Sequence, residues 1–262
     1  MKITTLLLCL VLSATILTAQ NYRIKYVSYS NATEAEKEKD AAAMEDMISE
    51  SITIEGPDGE EEPAKLPLSV RKAMRKNMKG IMDPTIYSTL TITGTTSRYD
   101  QDSFVFDNPV LDNAQQAPYF EAYLYKDHRK KQLVSVAERD TLALAYMQDY
   151  RQKHEWQIDR SATKEVGSFT CYRATKTATN GQLITAWFTP RILVPDGPDL
   201  MAGLPGLILE YRWNNRVTKA VSVKRLAPDT AAITLPTIDR TYDTERALNE
   251  ATQEIRQAAM RP

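Results

Sequence analysis

The chain has 262 residues, 42% of them apolar and 26% charged, a composition that can bury a sizeable core and excludes a disordered or fibrous protein. With 33 Lys and Arg against 34 Asp and Glu, the net charge is −1, which excludes the basic surplus of a nucleic-acid-binding protein.

The N-terminus predicts a targeting segment. Lys2 is the only charge before an apolar run from Ile3 to Leu17, and the small residue Ala19 then offers a cleavage point. Residues 1–19 therefore read as a signal peptide, leaving one exported domain over 20–262 with no transmembrane segment. Leu6-Leu7-Leu8-Cys9 resembles a lipoprotein box, but almost no apolar segment precedes it. Of the 2 cysteines, Cys9 is lost on cleavage, so Cys171 has no internal disulfide partner.

Alternation predicts a first strand over Tyr22 to Tyr29. A helical excursion follows over 31–82. Asn31 to Ser51 is rich in helix formers, Thr33 and Glu36 have capping-box spacing, and Ala42, Met44, Met47 and Ile48 suggest an apolar face. Gly56 to Glu62 reads as an exposed acidic loop, and Pro67 to Ile81 as a second helix. After Pro84 the chain becomes β-rich. Thr85 to Tyr99 is expected as a strand with a bulge or bend at Gly94, and Asp107 to Pro118 as loop. Further strands are expected over Tyr119 to Tyr125, Gln132 to Ala137, Thr141 to Met147, Glu155 to Asp159, Ser168 to Lys176 and Gln182 to Phe188. Leu207 to Trp213 and Arg216 to Leu226 form a hairpin closed by Asn214-Asn215, since Asn tolerates positive φ. Leu248, Ala251, Ile255 and Ala258 give Thr244 to Met260 helical spacing, and this helix is expected to pack on the sheet or its open mouth. The sum is an α+β fold dominated by a largely antiparallel sheet.

Three constellations could carry chemistry. Cys171 would need a thiolate, and Arg173, on the same strand face, or His128 or His154 could stabilise it; the simpler account is a small buried side chain filling the sheet core. Met74 and Met78, four residues apart, could offer soft ligands to Cu(I) or simply fill apolar space. Asp196, Asp199 and Glu210 could supply paired carboxylates, although Asp beside Gly197-Pro198 suits a turn.

Gly203-Leu204-Pro205-Gly206-Leu207-Ile208 sits between two of these strands. Pro205 and Gly206 fit the central positions of a type II turn. Beyond it, Leu207, Leu209, Tyr211 and Trp213 alternate against Ile208, Glu210 and Arg212. Upstream stand Ser168-Phe169-Thr170-Cys171-Tyr172-Arg173-Ala174, Ala186-Trp187-Phe188-Thr189 and Pro195-Asp196-Gly197-Pro198. In order and spacing, through about Trp156 to Val223, these motifs resemble the GLPGLI family of exported Gram-negative bacterial proteins. Ser168 stands for a Gly of the family pattern, Asp199 stands where an aromatic is common, and Ala202 where an aromatic or Gly often sits.

The resemblance implies a curved antiparallel sheet, similar to periplasmic lipoprotein carriers, and no established catalytic residue. With export and no recognised catalytic motif, the expectation is a non-enzymatic periplasmic or envelope binding protein without a cofactor. Its partner would be an apolar ligand or an envelope protein. Leu207, Leu209, Tyr211 and Trp213 are expected to line or support the site, with the hexapeptide, Gly197, Pro198 and Trp187 as structural framework. The alternatives are a Cys171-dependent redox or acyl-transfer enzyme and metal handling through Met and His.

Overall fold

The computed structural model describes residues 21–51, 53–55, 61–63, 66–82, 84–105, 120–148, 156–178 and 180–259. The signal-peptide expectation for 1–19, the loop expected over Asp107 to Pro118, and His154 lie outside the described residues.

In chain order the elements begin with β1 (Tyr22–Ser30), α1 (Glu34–Ser51), β2 (Thr53–Glu55), β3 (Glu61–Pro63) and α2 (Leu68–Met82). The β-rich region contains β4 (Thr85–Thr93), β5 (Thr96–Val105), β6 (Glu121–Asp127), β7 (Gln132–Arg139), β8 (Leu142–Gln148), β9 (Gln157–Val166), β10 (Phe169–Thr177) and β11 (Leu183–Thr189). The chain closes with β12 (Leu207–Trp213), β13 (Arg216–Arg225), β14 (Arg240–Tyr242) and α3 (Glu245–Ala259).

Twelve strands form one curved open sheet in the order β14-β8-β7-β6-β5-β4-β1-β13-β12-β11-β10-β9. All neighbours are antiparallel except β14, which runs parallel to β8. The fold is therefore β-dominated, with a helix after the first strand and a C-terminal helix, as the sequence predicts. Gly94 does not bulge a single strand. At φ 61 it turns the chain, and the expected strand becomes the β4–β5 hairpin. Asn214, at φ 53, closes β12 onto β13 as expected.

The capping box forms: the Glu36 N–H donates to Thr33 Oγ1 at 3.3 Å, and the Thr33 N–H donates back to Glu36 Oε2 at 2.7 Å. The apolar face expected on α1 does not pack. Met44 and Met47 are exposed, whereas Ala41 and Glu45 are buried. Glu45 is held between Arg71 and Arg75 of α2, with 2.6 Å to Arg75 Nε, so an ionic seam joins the two helices. Sequence hydropathy misses this because the buried position carries a charge.

The central core gathers Ile24 and Tyr26 of β1, Leu90 and Ile92 of β4, Cys171 of β10 and Leu207 and Leu209 of β12. Ile192 and Val194, from the long β11–β12 connection, pack into the same core. Tyr26 reaches across β13 to donate its hydroxyl to Ile208 O at 2.8 Å, a span that follows the curl of the sheet.

The hexapeptide makes a different turn from the one expected. The Gly206 N–H bonds Leu204 O at 2.8 Å, closing a three-residue γ-turn centred on Pro205. Leu207 N–H goes instead to Ile192 O and Ile208 N–H to Asp196 O, so the turn is tied to the connection above it. A second departure follows in β12. Trp187 pairs with Glu210 but Phe188 with Ile208, so the register shifts at Leu209. Leu207 and Leu209 pack with Cys171, while Ile208 and Tyr211 pack with Ala186 and Phe188, with Trp213 against them. The four residues expected on one face are thus divided between two clusters.

Candidate functional site

Three elements converge where the β11–β12 connection meets the other half of the sheet. Asp196 in that connection is fully buried, and so is Lys126 near the end of β6. Lys126 Nζ donates to Asp196 Oδ1 at 2.8 Å and to Gly197 O at 2.7 Å. Ser97 of β5 donates its hydroxyl to Asp196 Oδ2 at 2.5 Å, and His128 Nε2 lies 3.0 Å from the same oxygen. Burial alone would raise the Asp196 carboxyl, but Lys126 and His128 hold it well below the usual carboxylate range. The group is thus an anchor. It fastens the β11–β12 connection to β5 and β6, which lie several strands away in the sheet.

Beside this anchor is a cleft of about 400 Å³ between β5, β6, β7 and α3. Tyr99, Phe120, Ala122 and Leu124 give it an apolar, partly aromatic floor. Helix α3 covers it: Leu248 buries itself against Phe120, Ala137 and Leu144, with Ile255 packed nearby. Thr244 caps that helix by accepting the Ala247 N–H at 3.1 Å. The helix therefore does pack over the mouth of the sheet, and it contributes Asn249, Thr252, Gln253 and Arg256 to the cleft wall.

Asp199 enters the cleft from the β11–β12 connection, its backbone in the left-handed region at φ 54. Burial raises its carboxyl and nearby Glu245 adds to that, against the Lys126 charge and the Leu200 backbone N–H, which lower it. Behind it, burial first and then the Asp199 charge push the Tyr211 hydroxyl up to about 12. Tyr123 stacks beneath the Arg98 guanidinium, 3.7 Å from ring centroid to Cζ, and donates to Glu138 at 3.0 Å.

None of Leu207, Leu209, Tyr211 or Trp213 lines the cleft; Leu207 and Leu209 are completely buried core. Cys171 is also fully buried. Desolvation pushes its thiol up to about 12, with Glu165 and Glu210 adding to the shift and Lys164 opposing it. Arg173 does not assist the thiol, because it is paired with Asp159 at 2.6 Å. His128 belongs to the Asp196 anchor. Met74 and Met78 are partly buried on α2. Among the described residues no group of three or more His, Cys, Asp or Glu is placed to hold a metal.

The sequence hides the anchor for a plain reason. Lys126 lies in an ordinary strand pattern, and Asp196 precedes Gly197-Pro198, where Asp normally makes a turn. The only readable hint is the interruption of the strand Ala122-Tyr123-Leu124-Tyr125 by a lysine.

A family model described as "Protein of unknown function (Porph_ging)" matches residues 176–210, from the end of β10 through the anchor to most of β12. No curated protein matches the chain. Among solved structures, two of PNGF-II share this fold. One, in space group P21, is 15% identical with a TM-score of 0.50, covering 88% of this chain and 33% of that chain. The other, in space group C2, is 14% identical with a TM-score of 0.51, covering 90% and 33%. The chain thus spans about a third of the length of the PNGF-II structures it matches. A DUF1329 family protein from Desulfovibrio piger ATCC 29098 is 9% identical, with a TM-score of 0.27 over 88% of this chain and 92% of that chain. The matched family is one of unknown function, and the likeness to solved structures is one of fold.

Proposed function

We propose that the protein is an exported, non-enzymatic binding protein of the cell envelope, and that it holds an apolar or amphiphilic ligand in the cleft beneath α3. The observation that carries this reading is the cleft itself: an aromatic floor, a helix laid across it, and a few polar groups at its rim. The resemblance of the motifs around Cys171, Trp187, Gly197-Pro198 and the hexapeptide to GLPGLI proteins supports export. No helix among the described residues is long and apolar enough to cross a membrane. The Cys171 enzyme reading gains no support from a fully buried thiol with a raised pKa.

Native mass spectrometry of protein purified from its own host tests the proposal. A co-purifying small molecule is expected, and it should be lost in Ala122→Trp, which places an indole in the cleft. Protein that is ligand-free in every preparation, or occupancy that Ala122→Trp leaves unchanged, would overturn it.

A further inference from the structure

We infer that the ligand of this cleft carries a primary ammonium group on an apolar body, with Asp199 and Glu245 receiving the ammonium. The inference rests on the binding role proposed above and names the ligand class.

The cleft is electrostatically uneven. Asp199 and Glu245 stand at one end, and Glu245 opens the first turn of α3. Arg256 lies in the last turn of the same helix, so a rise of about 1.5 Å per residue puts it roughly 16 Å away along the axis. The acidic end is therefore not neutralised by the arginine that shares the cleft. The Lys126 charge acts on Asp199, but its ammonium is hydrogen-bonded to Asp196 and the Gly197 carbonyl rather than to Asp199. Among the described residues no cationic side chain is ion-paired with Asp199; its carboxylate receives the Leu200 N–H.

A recessed carboxylate with no cation in direct contact is costly, and a ligand cation offsets that cost. An anionic head group would meet two carboxylates there. A neutral hydroxyl would satisfy hydrogen bonding but leave the charge uncompensated. The aromatic floor of Tyr99 and Phe120, with Leu124 beside them, requires that the rest of the ligand be apolar. The left-handed backbone at Asp199 fits this role, since Asp and Asn adopt that conformation more readily than most residues. It also makes Asp199→Asn a change that keeps shape and backbone preference while removing charge.

Isothermal titration calorimetry with decylamine, decanoate and n-butylamine on the full mature chain tests this. Decylamine is expected to bind at least about tenfold more tightly than decanoate, the scale of one charge-assisted hydrogen bond. Asp199→Asn should bring the two within about threefold. Glu245→Gln, on an exposed helix position, should narrow the gap in the same direction. Equal affinities in the wild type, or a preference unchanged in both variants, would overturn the inference while leaving the cleft as a binding site. Butylamine binding as tightly as decylamine would overturn the apolar-body part. Failure of both decyl probes to bind would overturn the cleft reading along with the inference.

Discussion

Replacing Gly206 with alanine tests how the β11–β12 connection is held. A Cβ there would stand 2.2 Å from Thr189 O, 2.8 Å from Thr189 C and 3.0 Å from Pro190 Cα. All three are backbone atoms, so no rotamer change relieves the contact. Thr189 cannot withdraw freely either, because it pairs with Leu207 at the end of β11. Gly206 also sits at φ 155, where a side chain adds strain of about 1–3 kcal/mol. Moving the turn outward would stretch the Gly206–Leu204 and Leu207–Ile192 hydrogen bonds, each contributing about 1 kcal/mol. Together the loss is about 3–5 kcal/mol, against a total stability of roughly 5–15 kcal/mol. Urea unfolding followed by tryptophan fluorescence measures it, and a chain of this size should lose roughly 10 °C in Tm. Gly94→Ala is the internal control: φ is 61 there, but a new Cβ meets nothing within 4 Å, so only about 1 kcal/mol should be lost. If Gly206→Ala costs no more than Gly94→Ala, the close backbone approach is not what fixes the glycine.

Lys126→Met should destabilise by about 3–5 kcal/mol, because it strands a buried carboxylate; a loss under about 1 kcal/mol in urea unfolding would show that Asp196 is not held by that charge. The pH dependence has a defined sign. Asp196 is depressed in the folded state, so its contribution is present above about pH 4 and is lost as the pH falls towards its folded value. The stability gap between wild type and Asp196→Asn should therefore narrow below about pH 4, and a gap that widens there would refute the assignment. Cys171, with its thiol raised to about 12, should react with a thiol-specific disulfide reagent at pH 8 at least about a thousandfold more slowly in the native state than in urea. Comparable rates would place the thiol at the surface.

Much of the frame was legible because local pattern determines it. The Thr33–Glu36 box, the Asn214 turn, the amphipathic spacing of Leu248 and Ile255, and the alternating strands each depend on neighbours a few residues away. What stayed hidden depends on distance in the chain. Lys126 and Asp196 meet across 70 residues, and nothing near either one announces the pairing. Glu45 reads as solvated until Arg71 and Arg75 are placed beside it. The register shift at Leu209 reverses the faces of everything after it, so an alternation that is visible in the sequence still misassigns Tyr211 and Trp213. The cleft is assembled from β5, β6, β7, one residue of a distant connection and a helix at the far end of the chain, so no single segment reveals it.

The position of β1 has a consequence for how the chain is made. It lies in the middle of the sheet, hydrogen-bonded to β4 on one side and to β13 on the other. Tyr22 pairs with Arg225, and the Asn21 amide bonds Ala227 O across a separation of 206 residues. A ribosome makes β1 well before β13, so one row of β1 backbone donors and acceptors stays unmatched until residues 216–225 have followed. Loop closure over such a span makes that pairing slow, and an open strand is a template for other chains meanwhile. Docking of β13 is therefore the event that joins the two halves of the sheet, and interrupted synthesis before residue 216 should yield chains that aggregate rather than smaller folded ones.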